Sequence, residues 1–281
     1  MVSRPLKLQP QPIDDPDDPR VADFFRLNDP ALRRVLERPD APGATPGHGF
    51  FVAEGALVIR QLLRSRYPVR AVLVTDQGLA ALADTLPAVE APVYTVSQVL
   101  MTLVTGFRFH RGALASAERL PHPDLAGVVG GADLVVMAEG VSDNENLGAL
   151  FRNAAAFGAD GVILDATSAD PLYRRSVRVS MGQVLRVPFT RVGDAAQTVA
   201  RLQALGFEVL ALTPAAGADD VRTVVCRPRQ VLLVGAEGPG LSAGALRAAD
   251  RRLRIAMSAD VDSLNVATAV AVALHRLARP R

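Results

Sequence analysis

The hydrophobic pattern changes character along the chain. In the second half, short and mostly apolar strand-like stretches recur between stretches of helical period: Leu134-Val135-Val136-Met137-Ala138, Gly161-Val162-Ile163-Leu164, residues 208–212 and 230–234, each opened by one polar residue, and Leu253-Arg254-Ile255-Ala256-Met257. Runs without polar alternation are what strands buried on both faces require. Residues 147–157, 195–205 and 263–277 carry the helical period between and after them. The alternation predicts an α/β fold with a parallel sheet covered on both faces, binding its ligand at the carboxyl ends of the strands.

The first half reads as a smaller α/β unit: strand 50–52, helix 55–64, strand 69–75, helix 79–86, strand 92–95, then the basic turn Arg108-Phe109-His110-Arg111-Gly112 leading into a strand from Ala113. A short helix over 30–37 and an exposed Pro/Gly loop over 39–49 precede it. Residues 1–19 hold five prolines and the acidic cluster Asp14-Asp15-Pro16-Asp17-Asp18-Pro19, which predicts a flexible leader. Two prolines and three glycines within 121–131 mark a domain boundary. The expected division is a leader at 1–19, a small α/β domain at 20–125 and a parallel-sheet domain at 130–281.

Composition narrows the classes. The chain has 281 residues, 49% hydrophobic and 21% charged, which suits two ordinary domains with real cores rather than a disordered polymer. No apolar run reaches the roughly 18 residues of a membrane-spanning helix, and the first residues lack a signal-peptide core, so no membrane contact and a cytoplasmic location are expected. The single cysteine, Cys226, excludes an internal disulfide and a cysteine metal cage, and reads as a small core residue. His48, His110, His122 and His275 lack ligand spacing, and no metal is expected.

A formal net charge of +2 does not demand a polyanionic partner. Placement says more. Of 31 basic residues only Lys7 is a lysine, an excess of arginine that codon bias would also produce. Three groups stand out: Arg60, Arg64, Arg66 and Arg70; Arg108 and Arg111 beside His110; Arg174, Arg175 and Arg178. They are either solvated faces or a phosphate-binding surface.

Three segments could carry chemistry. Strand 134–138 runs through the polar turn Glu139-Gly140-Val141-Ser142-Asp143-Asn144-Glu145-Asn146 into a helix bearing Arg152 among apolar neighbours. Such an arginine faces an anion or a cleft, or it snorkels from a helix edge. Strand 230–234 enters Gly235-Ala236-Glu237-Gly238-Pro239-Gly240, whose glycines permit close backbone approach to a ligand but do not give the dinucleotide spacing G-x-G-x-x-G. The third, Asp262-Ser263-Leu264-Asn265-Val266, opens the last helix. Ser263 is explained by helix capping alone, whereas a plain helix start does not require Asn265.

In order and spacing these segments resemble the three motifs of the SpoU, or TrmH, family of RNA ribose 2′-O-methyltransferases: Asn146, Gly148 and Arg152; the Gly-x-Glu-Gly-x-Gly turn at 235–240; and Ser263-Leu264-Asn265-Val266. Residues 173–182 are similar to the family's connecting segment, so the resemblance covers about 134–278. More weakly, Val52-Ala53-Glu54-Gly55 and His110-Arg111-Gly112 resemble the L30e-like substrate-binding domain that many members carry.

The resemblance implies a carboxyl-terminal sheet with a deep trefoil knot, the exception to unknotted connections. It implies S-adenosylmethionine held by Thr213, Gly235, Ala236, Gly238, Ile255, Met257 and Leu264. It implies a homodimer through the carboxyl-terminal domain, and an RNA substrate, ribosomal sooner than transfer RNA. The implied catalytic set is Arg152, Asn146, Glu237, Ser263 and Asn265: Arg152 engages the ribose 2′-hydroxyl, the two asparagines orient, Glu237 fixes its turn or pairs with Arg152, and Ser263 holds the third turn. Arginine holds its proton too tightly to serve as an ordinary base, so positioning and stabilisation of the developing alkoxide are the better role. Arg108, His110, Arg111, Arg174 and Arg178 are the expected RNA contacts.

Overall fold

In the first half, β-branched and aromatic runs pair into a mixed five-stranded sheet. The computed structural model describes residues 9–37, 49–258 and 260–278, divided between two units: Met1–Leu120 with Leu172–Arg186, and Pro121–Pro171 with Val187–Arg281. The first unit contains β1 (Gln11–Pro12), α1 (Pro30–Glu37), β2 (Phe50–Glu54), α2 (Ala56–Leu62), β3 (Val69–Val74), α3 (Asp76–Ala81), β4 (Val93–Thr95), α4 (Gln98–Thr105) and β5 (Ala113–Glu118). Its sheet order is β1-β4-β3-β5-β2, with β5 antiparallel to both neighbours and the other pairs parallel.

Two expectations for this half need correction. Residues 9–19 are not a free leader: β1 pairs with β4, the Ile13 amide donates to the Thr95 carbonyl at 2.9 Å, and the Ile13 side chain is 2% exposed in the core. An edge strand tolerates Pro12, because its missing N–H faces no partner. Helix α4 was not expected, yet its signals are present: Ser97 caps its start through the Leu100 amide and Gly106 ends it in the left-handed conformation. Lys7 and His48 lie outside the described residues, as does all but the end of the loop expected at 39–49.

The second stretch of chain contributes α5 (Leu125–Val129), β6 (Leu134–Glu139), α6 (Asn144–Ala156), β7 (Gly161–Leu164), α7 (Arg174–Val179), β8 (Phe189–Arg191), α8 (Ala195–Ala204), β9 (Glu208–Leu212), β10 (Asp219–Asp220), β11 (Gln230–Gly235), α9 (Ala243–Ala248), β12 (Arg251–Arg254) and α10 (Val266–Leu277). All but α7 build one unit around a seven-stranded sheet of order β10-β12-β9-β11-β6-β7-β8, parallel at every pairing. Val135, Met137, Val209, Val231 and Leu233 meet Leu125 and Val128 of α5 and Val199 and Leu202 of α8 in one core. Each such side chain contributes about 1.5–3 kcal/mol of hydrophobic stabilisation. Helix α10 packs on α6 and on β11.

Here too the boundaries move. The Pro/Gly stretch expected as a linker contains α5, capped by Asp124. The strand expected through Met257 ends at Arg254, leaving Ile255 and Met257 in non-strand backbone. The last helix starts at Val266, not Ser263. Residues Leu172–Arg186, expected within the parallel-sheet domain, cluster with the first unit. Cys226 is half-buried rather than in the core, its Sγ 2.9 Å from the Arg276 carbonyl oxygen.

Candidate active site

A cavity of about 390 Å³ opens at the carboxyl ends of three adjacent strands, β12, β9 and β11. That is where parallel sheets present ligands, and the volume suits a small molecule. Leu212 and Thr213 come from the end of β9, Val234 and Gly235 from β11, Ile255 and Met257 from beyond β12, and 263–266 from the entry to α10. All seven residues expected to hold the cofactor line it: Thr213, Gly235, Ala236, Gly238, Ile255, Met257 and Leu264; so do Glu237, Ser263 and Asn265. Apolar walls beside a few polar groups fit a ligand with a flat apolar portion and a polar end.

The glycine turn is built on itself. A Cβ on Gly235 would lie 2.3 Å from the Gly240 carbonyl carbon and from the Leu241 nitrogen, so no side chain fits there. The Gly240 amide donates to the Ala236 carbonyl at 3.1 Å, and Gly238 and Gly240 adopt φ of 84° and 69°, which L side chains avoid. At Gly235, then, glycine is required by the turn's own backbone rather than by a ligand. Glu139, at the end of β6, accepts from the Ser242 amide at 2.9 Å and ties the turn's exit to the sheet.

Asn265 is the hub. Its Oδ1 accepts from the Ala267 and Thr268 amides at 3.0 and 3.2 Å, making it the N-cap of α10. Its Nδ2 donates to Asn146 Oδ1 and to Glu237 Oε1, both at 2.7 Å. A helix start therefore does require Asn265, contrary to expectation, and it is Ser263 that is not the cap. One amide uses two donors and two acceptors at once, its full capacity. Glu237 is engaged by Asn265; among the described residues it makes no ion pair with Arg152.

Helix α6 starts at Asp143, whose carboxylate accepts from the Glu145 and Asn146 amides at 2.9 Å each. Asn153 anchors it to α10 by donating to the Ala267 carbonyl at 2.8 Å. Arg152, about 9 Å along the axis from Asn146, is exposed, does not line the cavity, and among the described residues has neither hydrogen bond nor ion pair.

Asp165, beyond the end of β7, escaped the sequence reading. It is 6% exposed and accepts from the Gly140 amide at 2.9 Å, the Ser168 amide at 2.9 Å, the Ser168 hydroxyl at 2.6 Å and the Thr167 hydroxyl. Burial pushes its carboxyl upward, but these hydrogen bonds outweigh burial and leave it below the ordinary carboxylate value. Arg191 donates to the carbonyls of Asp165, Ser168 and Ala169, closing the same loop. The loop after β7 is thereby fastened to the turn that leads into α6.

The expected RNA contacts fall in the first unit. Arg108, His110 and Arg111 are exposed on one turn, and Arg174 and Arg178 lie on α7. Three of them, Arg111, Arg174 and Arg178, converge on Glu54, a buried carboxylate that sequence reasoning left without a role. Among the described residues no group of three or more His, Cys, Asp and Glu side chains could hold a metal, and no helix is long and apolar enough to cross a membrane.

A parallel α/β sheet with a small-molecule cavity at its strand ends, bordered by an amide–carboxylate network, is the architecture of a ligand-binding α/β protein. Residues 133–275 match the SpoU rRNA Methylase family. An uncharacterized tRNA/rRNA methyltransferase of Mycobacterium bovis is 47% identical, covering 98% of this chain and 94% of its own. A 23S rRNA (guanosine-2′-O-)-methyltransferase, RlmB, of Photobacterium profundum is 32% identical, covering 61% of this chain and 72% of its own. The crystal structure of an AdoMet-bound rRNA methyltransferase from Sinorhizobium meliloti superposes with a TM-score of 0.76 at 27% identity, covering 95% of this chain and 97% of that one. The chain belongs to the SpoU methylase family, which makes it a methyltransferase by class.

Proposed function

We propose that the protein transfers a methyl group from S-adenosylmethionine to a ribose 2′-hydroxyl of RNA, ribosomal RNA in preference to transfer RNA. The observation that carries this reading is the Asn265 amide, which joins the cavity wall at Glu237 to Asn146 on the helix bearing Arg152. The S. meliloti relative holds AdoMet, and the P. profundum relative is named for 2′-O-methylation. The cavity at the strand ends fits that cofactor in volume and in its mix of apolar walls and polar rim. When bound, S-adenosylmethionine supplies an electrophilic methyl group on a sulfonium.

The residues then divide the work. Leu212, Ile255, Met257 and Leu264 cover apolar surface, and the backbone at Thr213, Gly235, Ala236 and Gly238 offers hydrogen bonds. Arg152, with its donors uncommitted, holds the ribose and its adjacent phosphate and stabilises the negative charge on the 2′-oxygen as the O–CH3 bond forms, the S–CH3 bond breaks to leave a neutral thioether, and the hydroxyl proton is released to solvent. Asn146 and Asn265 fix the spacing between α6 and the cavity, Glu237 orients Asn265, and Ser263 shapes the cavity's rim. In the first unit, read as an L30e-like RNA-binding domain, Arg108, His110, Arg111, Arg174 and Arg178 take RNA phosphates.

The same reading includes a trefoil knot, a homodimer through the carboxyl-terminal unit, and a cytoplasmic location. The return of the chain after β12 to meet both the 235–240 turn and α6 supports the knot. The test is transfer of labelled methyl from S-adenosylmethionine to purified ribosomal and transfer RNA, with the product mapped for 2′-O-methyl nucleotides. Label in a base, or none in any RNA, overturns the reading.

A further inference from the structure

Glu54 sits at the end of β2 with its side chain 4% exposed, and three guanidiniums converge on it. Arg174 Nη1 is 2.6 Å from Oε2, Arg111 Nε is 3.2 Å from Oε1, and Arg178 Nη1 is 3.7 Å from Oε2. One arginine would neutralise one buried carboxylate. Three leave a local excess of two positive charges, and like charges at such separations repel unless something holds them.

The three arginines are not equivalent. Arg174 is fixed from three sides: it pairs with Glu54, donates to the Leu27 carbonyl at 3.3 Å, and lies over the Phe107 ring at 5.2 Å. Its side chain is 17% exposed, whereas those of Arg178 and Arg111 are 30% and 51% exposed. Arg111 approaches Glu54 through Nε with its side chain half-exposed, on the turn that also exposes Arg108 and His110. A buried carboxylate thus acts as the root of a fan of guanidiniums that opens outward. Such a fan matches the spaced phosphates of a nucleic-acid backbone, which guanidiniums bind by paired hydrogen bonds.

We infer that Glu54 pre-organises an RNA-phosphate-binding surface on the first unit by holding Arg111, Arg174 and Arg178 together against their mutual repulsion. This rests on the reading of the protein as an RNA methyltransferase, and it carries a sign that charge counting does not. Removing a negative charge beside three arginines should tighten anion binding by simple electrostatics. If Glu54 is an organiser, removing it weakens binding, because the fan must be gathered anew each time RNA arrives.

The experiment measures binding of a fluorescein-labelled ribosomal RNA oligonucleotide to the full chain by anisotropy across a salt series, with circular dichroism as the check on folding. Glu54→Gln should weaken binding on the order of threefold to tenfold, and Glu54→Asp should recover part of the loss. Arg111→Ala, at a half-exposed side chain whose removal leaves the Arg174 pair intact, should weaken binding by a similar factor. It should also flatten the slope of log affinity against log salt by about 0.7, one phosphate contact on a single strand. Folded Glu54→Gln protein that binds RNA equally or more tightly overturns the inference. Where Glu54→Gln does not fold, Arg111→Ala decides, and unchanged affinity and slope overturn it. Native protein that binds RNA with this dependence but transfers no methyl group sinks the functional reading and leaves Glu54's role standing; native protein that binds no RNA sinks both.

Discussion

Two polar centres in this molecule are built on opposite plans. Around Asn265 a neutral amide is saturated, with two backbone amides on its oxygen and Asn146 and Glu237 on its nitrogen. Around Glu54 a single carboxylate faces three cations, and charge is left over. A saturated hub cannot bind anything further without breaking a bond it already makes, so it serves as framework. An unsaturated one keeps bonding capacity for a partner, as does Arg152 on α6. The difference teaches that a fully networked group holds its neighbours in place, whereas one with bonding capacity to spare can still take a partner.

That contrast can be broken by substitution. The largest effect is expected at the uncommitted group: Arg152→Ala should lower methyl transfer at least about 100-fold, close to 3 kcal/mol of transition-state stabilisation, with S-adenosylmethionine binding by calorimetry unchanged. Next is the framework itself. Gly235→Ala places a Cβ against the Gly240 carbonyl carbon at 2.3 Å and should cost about 3 kcal/mol in urea unfolding, with loss of cofactor binding in parallel; retention of both would mean the turn opens easily. Asn265→Asp keeps the capping oxygen but removes both Nδ2 hydrogen bonds and sets a carboxylate beside Glu237. It should cost about 1–2 kcal/mol, and Asn265→Ala about 1 kcal/mol more through the lost cap. Equal losses in the two would show that the capping oxygen contributes nothing, and an unchanged Asn265→Asp would show the same of the amide's donors.

The smallest effect concerns acid. Asp165 has a folded-state value below its ordinary one of 3.8, so its contribution to stability is fully present above that pH and is lost as pH falls through the folded value. Asp165→Asn should therefore flatten the acid limb of a stability profile below about pH 4, and leave the neutral limb's shape unchanged. An identical acid limb in the variant would remove Asp165 from the account of the β7 loop.

The parallel sheet was legible in the sequence because strands buried on both faces are apolar along their buried length, as in 134–138, 161–164 and 209–211. Short elements escaped or shifted: β8 ends in Arg191 and has no apolar run, three arginines in β12 moved its expected place toward Ile255–Met257, and α9 is a short, alanine-rich helix with little period. The cavity residues were legible only through resemblance; spacing alone left Ser263 as a cap and Arg152 on a helix edge. What could not be read were partnerships between distant residues. Asp165 meets Gly140 across 25 positions, and Glu54 meets Arg174 across 120. Each residue looks ordinary in its own stretch of chain. The capping role of Asn265 was hidden for a related reason: it is local, but α10 starts three residues later than the apolar pattern suggests.

The excursion of Leu172–Arg186 into the first unit bears on modularity. Chain order and structural unit disagree here, since the segment is flanked on both sides by the parallel-sheet unit. The stretch that matches the family, 133–275, carries this segment with it, including the buried Val177, Val184 and Leu185. A gene fragment cut at the linear boundary would deliver those side chains to solvent and leave Glu54 without two of its arginines. The first unit is therefore not encoded by one continuous stretch of chain, and a fragment that is to contain all of it must extend through Arg186.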